Sequence, residues 1–315
     1  MRILSWTIHS QLKAELDHHY KTRLAVSLKE RSPLATIQEI TFDGVAPNLT
    51  LSEVERFINF IDKKFLRGKI GGVGIEIGAG PGVFSSLLAK KDSVTNVYAI
   101  DACESIVRKL MPGVASYILE ARKDDKIIGC IGDFNHIELE DDSVDFAFDF
   151  FSLHHSNNLE KTLSEINRVL KPGGFIFCFD KARDDRLGSE DIQRLLDAEY
   201  SPEFKKKMGI SLDEKLTRRM NDEKEYRLHE WRESFFQSGF SRFEHFNIAR
   251  STNRYFLVRK AKELFSFIHP RIQVWFTWFL PHPNLAVSNL SPDNRVYSTL
   301  VNHFPKEISL MIAYK

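Results

Sequence analysis

The sequence predicts an α/β protein built on a mostly parallel sheet, and three observations predict it. Residues 73–84 read Val-Gly-Ile-Glu-Ile-Gly-Ala-Gly-Pro-Gly-Val-Phe, an apolar run that breaks into a glycine loop and resumes as a helical pattern. From Gly72 to Asp180, short apolar runs alternate with amphipathic helical stretches, the mark of strands joined by crossover helices. The chain has 315 residues, 43% hydrophobic and 28% charged, enough for one large or two modest domains with a packed core.

Composition removes several function classes. A formal net charge of +1 gives no global electrostatic case for nucleic acid or a membrane surface. Cys103, Cys130 and Cys178 are scattered in apolar contexts without metal or disulfide spacing, which suits a reducing compartment. Residues 1–8 hold too few apolar side chains for a secretory signal, and the longest apolar string, 274–280, is far shorter than a membrane span. A soluble cytoplasmic protein is the expectation.

Taken in order, residues 1–70 read as an N-terminal helical cap. Trp6, Leu12 and Leu16 fit one face of a short helix, and His18-His19 reads as a solvated face, because adjacent helical residues point about 100° apart and do not meet at one ion. Residues 50–66 predict a helix: Thr50 and Glu53 make a capping box, Leu51, Val54, Phe57, Ile58, Ile61 and Phe65 form one stripe, and Lys63, Lys64 and Arg67 suit its C-terminal dipole. Strands follow at 73–77, 96–101, 126–132, 144–151 and 175–179, with helices at 82–90, 104–110 and after the Asn157/Glu160 cap. Pro172-Gly173-Gly174 stops that last helix. Residues 183–226 form a charged insertion on the substrate side. A helix at 227–238 buries Leu228, Trp231 and Phe235, and further strands lie at 242–249 and 308–314. Residues 71–249 with 307–315 make the core; 250–306 is an aromatic-rich insertion containing Trp275 and Trp278, read as a small helical subdomain, with a lid, a dimer interface or a membrane-surface contact through 264–280 as functional alternatives.

The loop spacing is G-x-G-x-G rather than G-x-G-x-x-G, and the acid Glu76 stands just before it. Both details point away from a dinucleotide. Four signals then recur in order: Glu76-Ile-Gly-Ala-Gly-Pro-Gly82, Ala99-Ile-Asp101, Gly132-Asp133-Phe134 and Arg168-Val-Leu-Lys-Pro-Gly-Gly174. Together they resemble the class I S-adenosylmethionine-dependent methyltransferases, especially the small-molecule group that includes quinone and sugar methyltransferases. The resemblance covers 73–181 well and 226–249 loosely. It implies a Rossmann-like seven-stranded sheet of order 3-2-1-4-5-7-6 with strand 7 antiparallel, helices on both faces, N-terminal helices and a helical insertion before the last strand.

It also implies S-adenosyl-L-methionine as cofactor, held by Glu76, Gly78, Ala79, Gly80, Gly82, Asp101, Ala102, Asp133, Phe134, Phe150 and Phe151. Glu76 orders the loop and the methionine amino end, Asp101 accepts the ribose hydroxyls, Asp133 accepts the adenine amine, and the backbone around Phe150 and Phe151 faces the methionine portion. His155, followed by His154, is the candidate general base, each weighed against packing or helix capping. Asp149 and Asp180 are weighed as metal ligands and set aside, so no metal is expected. Tyr226, Arg227 and His229 are candidates for contacting substrate. The expected partner is a small-molecule acceptor, either a sugar or glycan or a lipid or quinone-like molecule, methylated most readily on oxygen. The alternative is a non-catalytic cofactor-binding scaffold that works through 250–306.

Overall fold

The computed structural model describes residues 1–8, 51–120, 124–207, 210–250, 287–289, 295–299 and 308–315. His18-His19, the Thr50 cap and the aromatic segment 264–280 lie outside the described residues. The strands are β1 (Arg2–Ser5), β2 (Gly72–Ile77), β3 (Val94–Asp101), β4 (Ile127–Ile131), β5 (Val144–Phe150), β6 (Leu170–Asp180), the short β7 (Ala182–Arg183) and β8 (Tyr226–Arg227), β9 (Arg242–Arg250), β10 (Val287–Asn289), β11 (Arg295–Thr299) and β12 (Ile308–Tyr314). The helices are α1 (Leu51–Lys64), α2 (Val83–Ala89), α3 (Met111–Leu119), α4 (Leu159–Val169), α5 (Ser189–Asp197), α6 (Pro202–Lys207) and α7 (Leu228–Gln237).

One ten-stranded sheet runs β1-β4-β3-β2-β5-β6-β12-β9-β11-β10. The seven expected strands stand inside it in the expected order, with β12 antiparallel to both β6 and β9. Three further strands extend the edges. β1 pairs parallel with β4, so residues 2–5 are sheet and not part of a helical cap. β11 pairs parallel with β9 and antiparallel with β10, so residues 287–289 and 295–299 of the aromatic-rich insertion extend the sheet and are not helical.

The alternation along β5 and β6 divides the core. Phe146 and Phe148 of β5 join Phe175, Phe177 and Phe179 of β6 on one face, packed with Phe57, Ile58 and Ile61 of α1 and Val83 and Leu87 of α2. Val144 and Ala147 with Ile176 and Cys178 face the other way, onto Leu163 and Ile166 of α4 and Trp231 and Phe235 of α7. Both faces are covered, which is why these strands read as continuous apolar runs. The phenylalanine face is a stack of tilted rings, with Phe148 to Phe177 centroids 4.7 Å apart. Gly74 makes room for it: a Cβ there would sit 2.2 Å from Cζ of Phe146.

The helix expected at 104–110 is instead a π-helical turn, Ile106–Leu110, that runs on into α3. Pro112 stands at the start of α3, directly after the π-helical turn. β6 begins at Leu170, where α4 ends, and carries an irregularity opposite Val144 to Phe146 that absorbs the Pro-Gly-Gly sequence.

Candidate active site

The C-terminal ends of β4, β3, β2, β5 and β6 lie side by side, and a parallel sheet presents its ligand-binding loops along that edge. Each expected site residue falls on it. Glu76 is the penultimate residue of β2, Asp101 ends β3, Asp133 follows β4, Phe150 ends β5, and Asp180 ends β6.

The loop after β2 is held from both sides. The Ala79 amide donates to the Ile100 carbonyl at 2.8 Å, and the Gly82 amide to Ala79 at 2.9 Å. Gly78, Gly80 and Gly82 all have positive φ. A Cβ on Gly78 would sit 2.3 Å from Oγ of Ser152, whereas one on Gly80, at φ +50°, would meet nothing within 4 Å. The first glycine permits a close approach of two loops; the second leaves its backbone open to a ligand.

Asp101 accepts hydrogen bonds from the Gly80 amide and the Cys103 amide, both at 2.8 Å. Burial pushes its carboxyl up, and the two amides oppose that. Each oxygen retains a second lone pair. Ala102 stands between Asp101 and Cys103 in the chain. Asp133, also buried, accepts at Oδ1 from the Asn135 amide at 2.8 Å and its Nδ2 at 2.9 Å; the Asn135 Oδ1 in turn accepts from Thr162 of α4 at 2.7 Å. Phe134 packs against the core beside it. Trp6, which follows β1, donates its amide to Ile131 at 2.8 Å and lies against Gly132, where a Cβ would be 2.7 Å from its Cε3. No sequence signal joins Trp6 to this turn; only the unforeseen pairing of β1 with β4 does.

Glu76 is buried and accepts a hydrogen bond from Oγ of Ser85 in α2. Burial pushes its carboxyl from an ordinary 4.5 up to about 8, with Ser85 opposing. The folded protein therefore holds a proton at Glu76 that the unfolded chain releases. That contribution to stability is full below the unfolded value and is lost as pH rises through about 8. Glu76→Gln is expected to flatten the fall of the urea midpoint between roughly pH 5 and 8; an unaltered slope would assign that titration to another group.

Beyond β5 the chain turns sharply. Phe151 has φ +58°, a conformation costly for a bulky side chain, and is fixed by its amide donating to the Phe179 carbonyl at 2.8 Å. Phe150 stacks on Phe84 of α2 at 4.3 Å. Asp149 accepts from the amides of Ser152 and Leu153 at 3.1 and 3.0 Å. His154 is 3% exposed. Its Nδ1 lies 2.7 Å from Oδ1 of Asp180, and its amide donates to Oδ2 at 3.0 Å. Although burial opposes ionisation of Asp180, His154 and the Lys181 amide draw its carboxyl below the ordinary range. Nδ1 of His154 faces Asp180, and Nε2 lies 3.4 Å from the Lys181 ammonium. His155 stacks on His154, with centroids 4.2 Å apart, and burial and that neighbour push it down to about 3.

Lys181 also reaches Glu223, which accepts from the Tyr200 hydroxyl as well; Glu225 is clamped by Arg183 and by Arg218 at 2.7 Å. This polar cluster joins the end of β6 to the 199–226 segment, and sequence reading missed it because its members are far apart in the chain. The expected substrate contacts are otherwise engaged: Arg227 binds Glu230 at 2.9 Å, His229 binds Asp185 at 2.9 Å, and Tyr226 packs on Trp231. Among the described residues no cluster of histidine, cysteine or carboxylate side chains has the arrangement to hold a metal ion. No helix among them is long and apolar enough to cross a membrane.

Residues 75–178 match a family model described as a methyltransferase domain. The chain is similar to malonyl-[acyl-carrier protein] O-methyltransferase of Methylococcus capsulatus, 32% identical over 103 residues, 32% of this chain and 34% of that protein. It is similar to demethylmenaquinone methyltransferase of Staphylococcus saprophyticus, 32% identical over 83 residues, 26% of this chain and 36% of that one. The chain thus spans about a third of the length of these relatives. Among solved structures, the [4+2]-cyclase SpnF aligns over 100% of this chain and 99% of its own, with a TM-score of 0.53 at 16% identity, a likeness of fold alone.

Proposed function

We propose that this chain, whose residues 75–178 match a methyltransferase domain model, is an S-adenosylmethionine-dependent methyltransferase acting on a small molecule. The observation that carries this reading is the row of carboxylates Glu76, Asp101 and Asp133 at the ends of three adjacent strands, around a glycine loop whose Gly80 backbone is open. A donor with a cationic sulfur, a ribose and an adenine fits that row of acceptors better than a pyrophosphate, which Asp101 and Asp133 would repel.

When bound, S-adenosylmethionine supplies an electrophilic methyl group. The chain's own part is to align and desolvate the partners. Glu76 sets the loop, Asp101 offers its two spare lone pairs to the ribose, and Asp133 offers its unengaged Oδ2 to the adenine amine. Of the two histidines, His154 has the better geometry for a base: Asp180 fixes its tautomer and would stabilise the imidazolium formed when Nε2 takes an acceptor proton. Lys181, already held by Glu223, stands over Nε2, so acceptor entry has to move the lysine aside.

The acceptor we favour is lipid or quinone-like and methylated on oxygen. The charged groups nearest His154 are spent on one another, and Leu212 and Met220, each 59% exposed, give the 199–226 segment an apolar surface. The polar character of 183–229 supports a sugar acceptor as the second choice. The alternative reading is a protein that binds the cofactor without transferring its methyl group and works through 250–306. The test is calorimetric titration with S-adenosylmethionine, followed by transfer of labelled methyl to a naphthohydroquinone or a methyl glycoside. Binding with transfer to the hydroquinone is expected. Binding with no transfer to a cell extract would favour the non-catalytic reading.

A further inference from the structure

Asp133 is tied to the rest of the protein through one of its two carboxylate oxygens. Oδ1 accepts from both donors of Asn135, the main-chain amide at 2.8 Å and Nδ2 at 2.9 Å. A carboxylate oxygen offers two lone pairs, so Oδ1 is filled. Oδ2 takes no hydrogen bond among the described residues. Yet their sealed, partnerless polar atoms lie on Asp149, Asn167 and His245, and not on Asp133. Oδ2 therefore reaches open space at the ligand edge of the sheet, although Asp133 as a whole is only 3% exposed.

Asn135 is buried as well, and a chain of hydrogen bonds holds it from behind. The Asn158 amide donates to Oγ of Ser156 at 3.1 Å, Ser156 lies 2.8 Å from Oγ1 of Thr162, and Thr162 donates to Oδ1 of Asn135 at 2.7 Å. Ser156 and Thr162 are fully buried. The ends of the chain fix its direction, because a main-chain amide only donates and a carboxylate only accepts. Each hydroxyl has one proton, so Ser156 donates to Thr162. The oxygen of the Asn135 side chain then faces Thr162 and its nitrogen faces Asp133. A flipped amide would set oxygen against carboxylate at one end and nitrogen against a donor at the other. The second proton on Nδ2 goes to Oδ1 of Asn157 at 3.2 Å. The chain thus joins the turn after β4 to the N-terminus of α4, through the residue that directly follows His154 and His155. Trp6 backs the same turn at Gly132.

We propose that Asn135 makes the site selective for a 6-aminopurine, by filling one oxygen of Asp133 and presenting the other as a fixed, lone acceptor. The inference rests on the cofactor reading above. A 6-amino group donates to Oδ2. A 6-oxo group sets acceptor against acceptor and leaves both without a proton, which is how a site built for an N–H rejects the analogue that lacks it. Asp133 alone does not give this selectivity. Without the Nδ2 donor its carboxylate is free to turn and to exchange its oxygens, and the acceptor is no longer held toward the base. Asn135 touches Asp133 and not the ligand, so it is a positioning residue, and Thr162 and Ser156 position it in turn.

The experiment is calorimetric titration of the full chain with S-adenosylhomocysteine and with its 6-oxo analogue, S-inosylhomocysteine. The wild-type chain is expected to bind the adenosyl ligand about 10-fold or more tightly than the inosyl one. Asn135→Ala is expected to weaken the adenosyl ligand selectively and to bring that ratio to about threefold or less. Thr162→Val removes the hydroxyl with little change of shape and is expected to give an intermediate ratio. A residue with a merely structural role would weaken both ligands equally, so an unchanged ratio in folded Asn135→Ala overturns the inference. If that variant does not fold, an unchanged ratio in Thr162→Val does so. A wild-type ratio near one overturns it without recourse to either variant, and leaves the cofactor reading intact. Failure of the wild-type chain to bind S-adenosylhomocysteine overturns the cofactor reading itself.

Discussion

Asp101→Ala is expected to weaken S-adenosylmethionine binding by about 100-fold or more, read by calorimetric titration at constant pH. Two effects add. The carboxylate is the acceptor for the Gly80 and Cys103 amides at 2.8 Å, so its loss frees the glycine loop from the end of β3 and leaves two amide donors without their acceptor. It is also the proposed acceptor for the ribose hydroxyls, and hydrogen bonds to a charged group contribute about 1.5–3 kcal/mol each. Asp101→Asn is expected to fall between the two, since one oxygen remains for one amide. Wild-type affinity in a folded Asp101→Ala protein would falsify the placement of the ribose.

Trp231→Ala is expected to lower the unfolding free energy by about 3–5 kcal/mol, measured by urea denaturation. That is a large share of the roughly 5–15 kcal/mol that ordinarily holds a domain together. Trp231 is fully buried, meets Tyr226 edge to face at 5.2 Å, and packs against Phe235. Its Nε1 donates to the Lys181 carbonyl at 2.9 Å. The indole thus pins α7 to the sheet and also fixes the backbone of the residue that stands over His154. Trp231→Phe retains most of the apolar burial but loses the hydrogen bond, and is expected to cost about 1–2 kcal/mol. A loss under about 1 kcal/mol for the alanine variant would mean that α7 is held by other contacts.

What could be read from the sequence follows from the range of the forces involved. β2, β5 and β6 were legible because burial on both faces demands long apolar runs, and α4 because Leu159, Leu163, Ile166 and Leu170 recur at helical spacing. Asp101 and Asp133 were placed because a carboxylate at the end of a buried strand is a local event. β1 was not legible: four residues, Arg2–Ser5, carry no period that separates strand from helix, and their partner lies beyond residue 126. The cluster of Lys181, Tyr200, Arg218, Glu223 and Glu225 was hidden for another reason. Charged residues in a polar stretch read as solvated until the fold brings opposite charges together. The preference between His154 and His155 also turned on a partner, Asp180, that only the adjacency of β5 and β6 supplies.

The position of β12 has a consequence for how the molecule is assembled. It lies between β6 and β9, although β9 closes at Arg250 and β12 opens only at Ile308. As the polypeptide is synthesised, β6 and β9 are complete while the strand that joins them has yet to be made. Each then presents an unpaired edge, and β6 carries Phe175, Phe177 and Phe179 beside its own. Such edges recruit strands from other chains. The arrival of Ile308–Tyr314 satisfies both at once, so closure of the far half of the sheet is one late, non-local event. A substitution that slows the seating of β12 should raise aggregation during expression well before it lowers the stability of the finished protein.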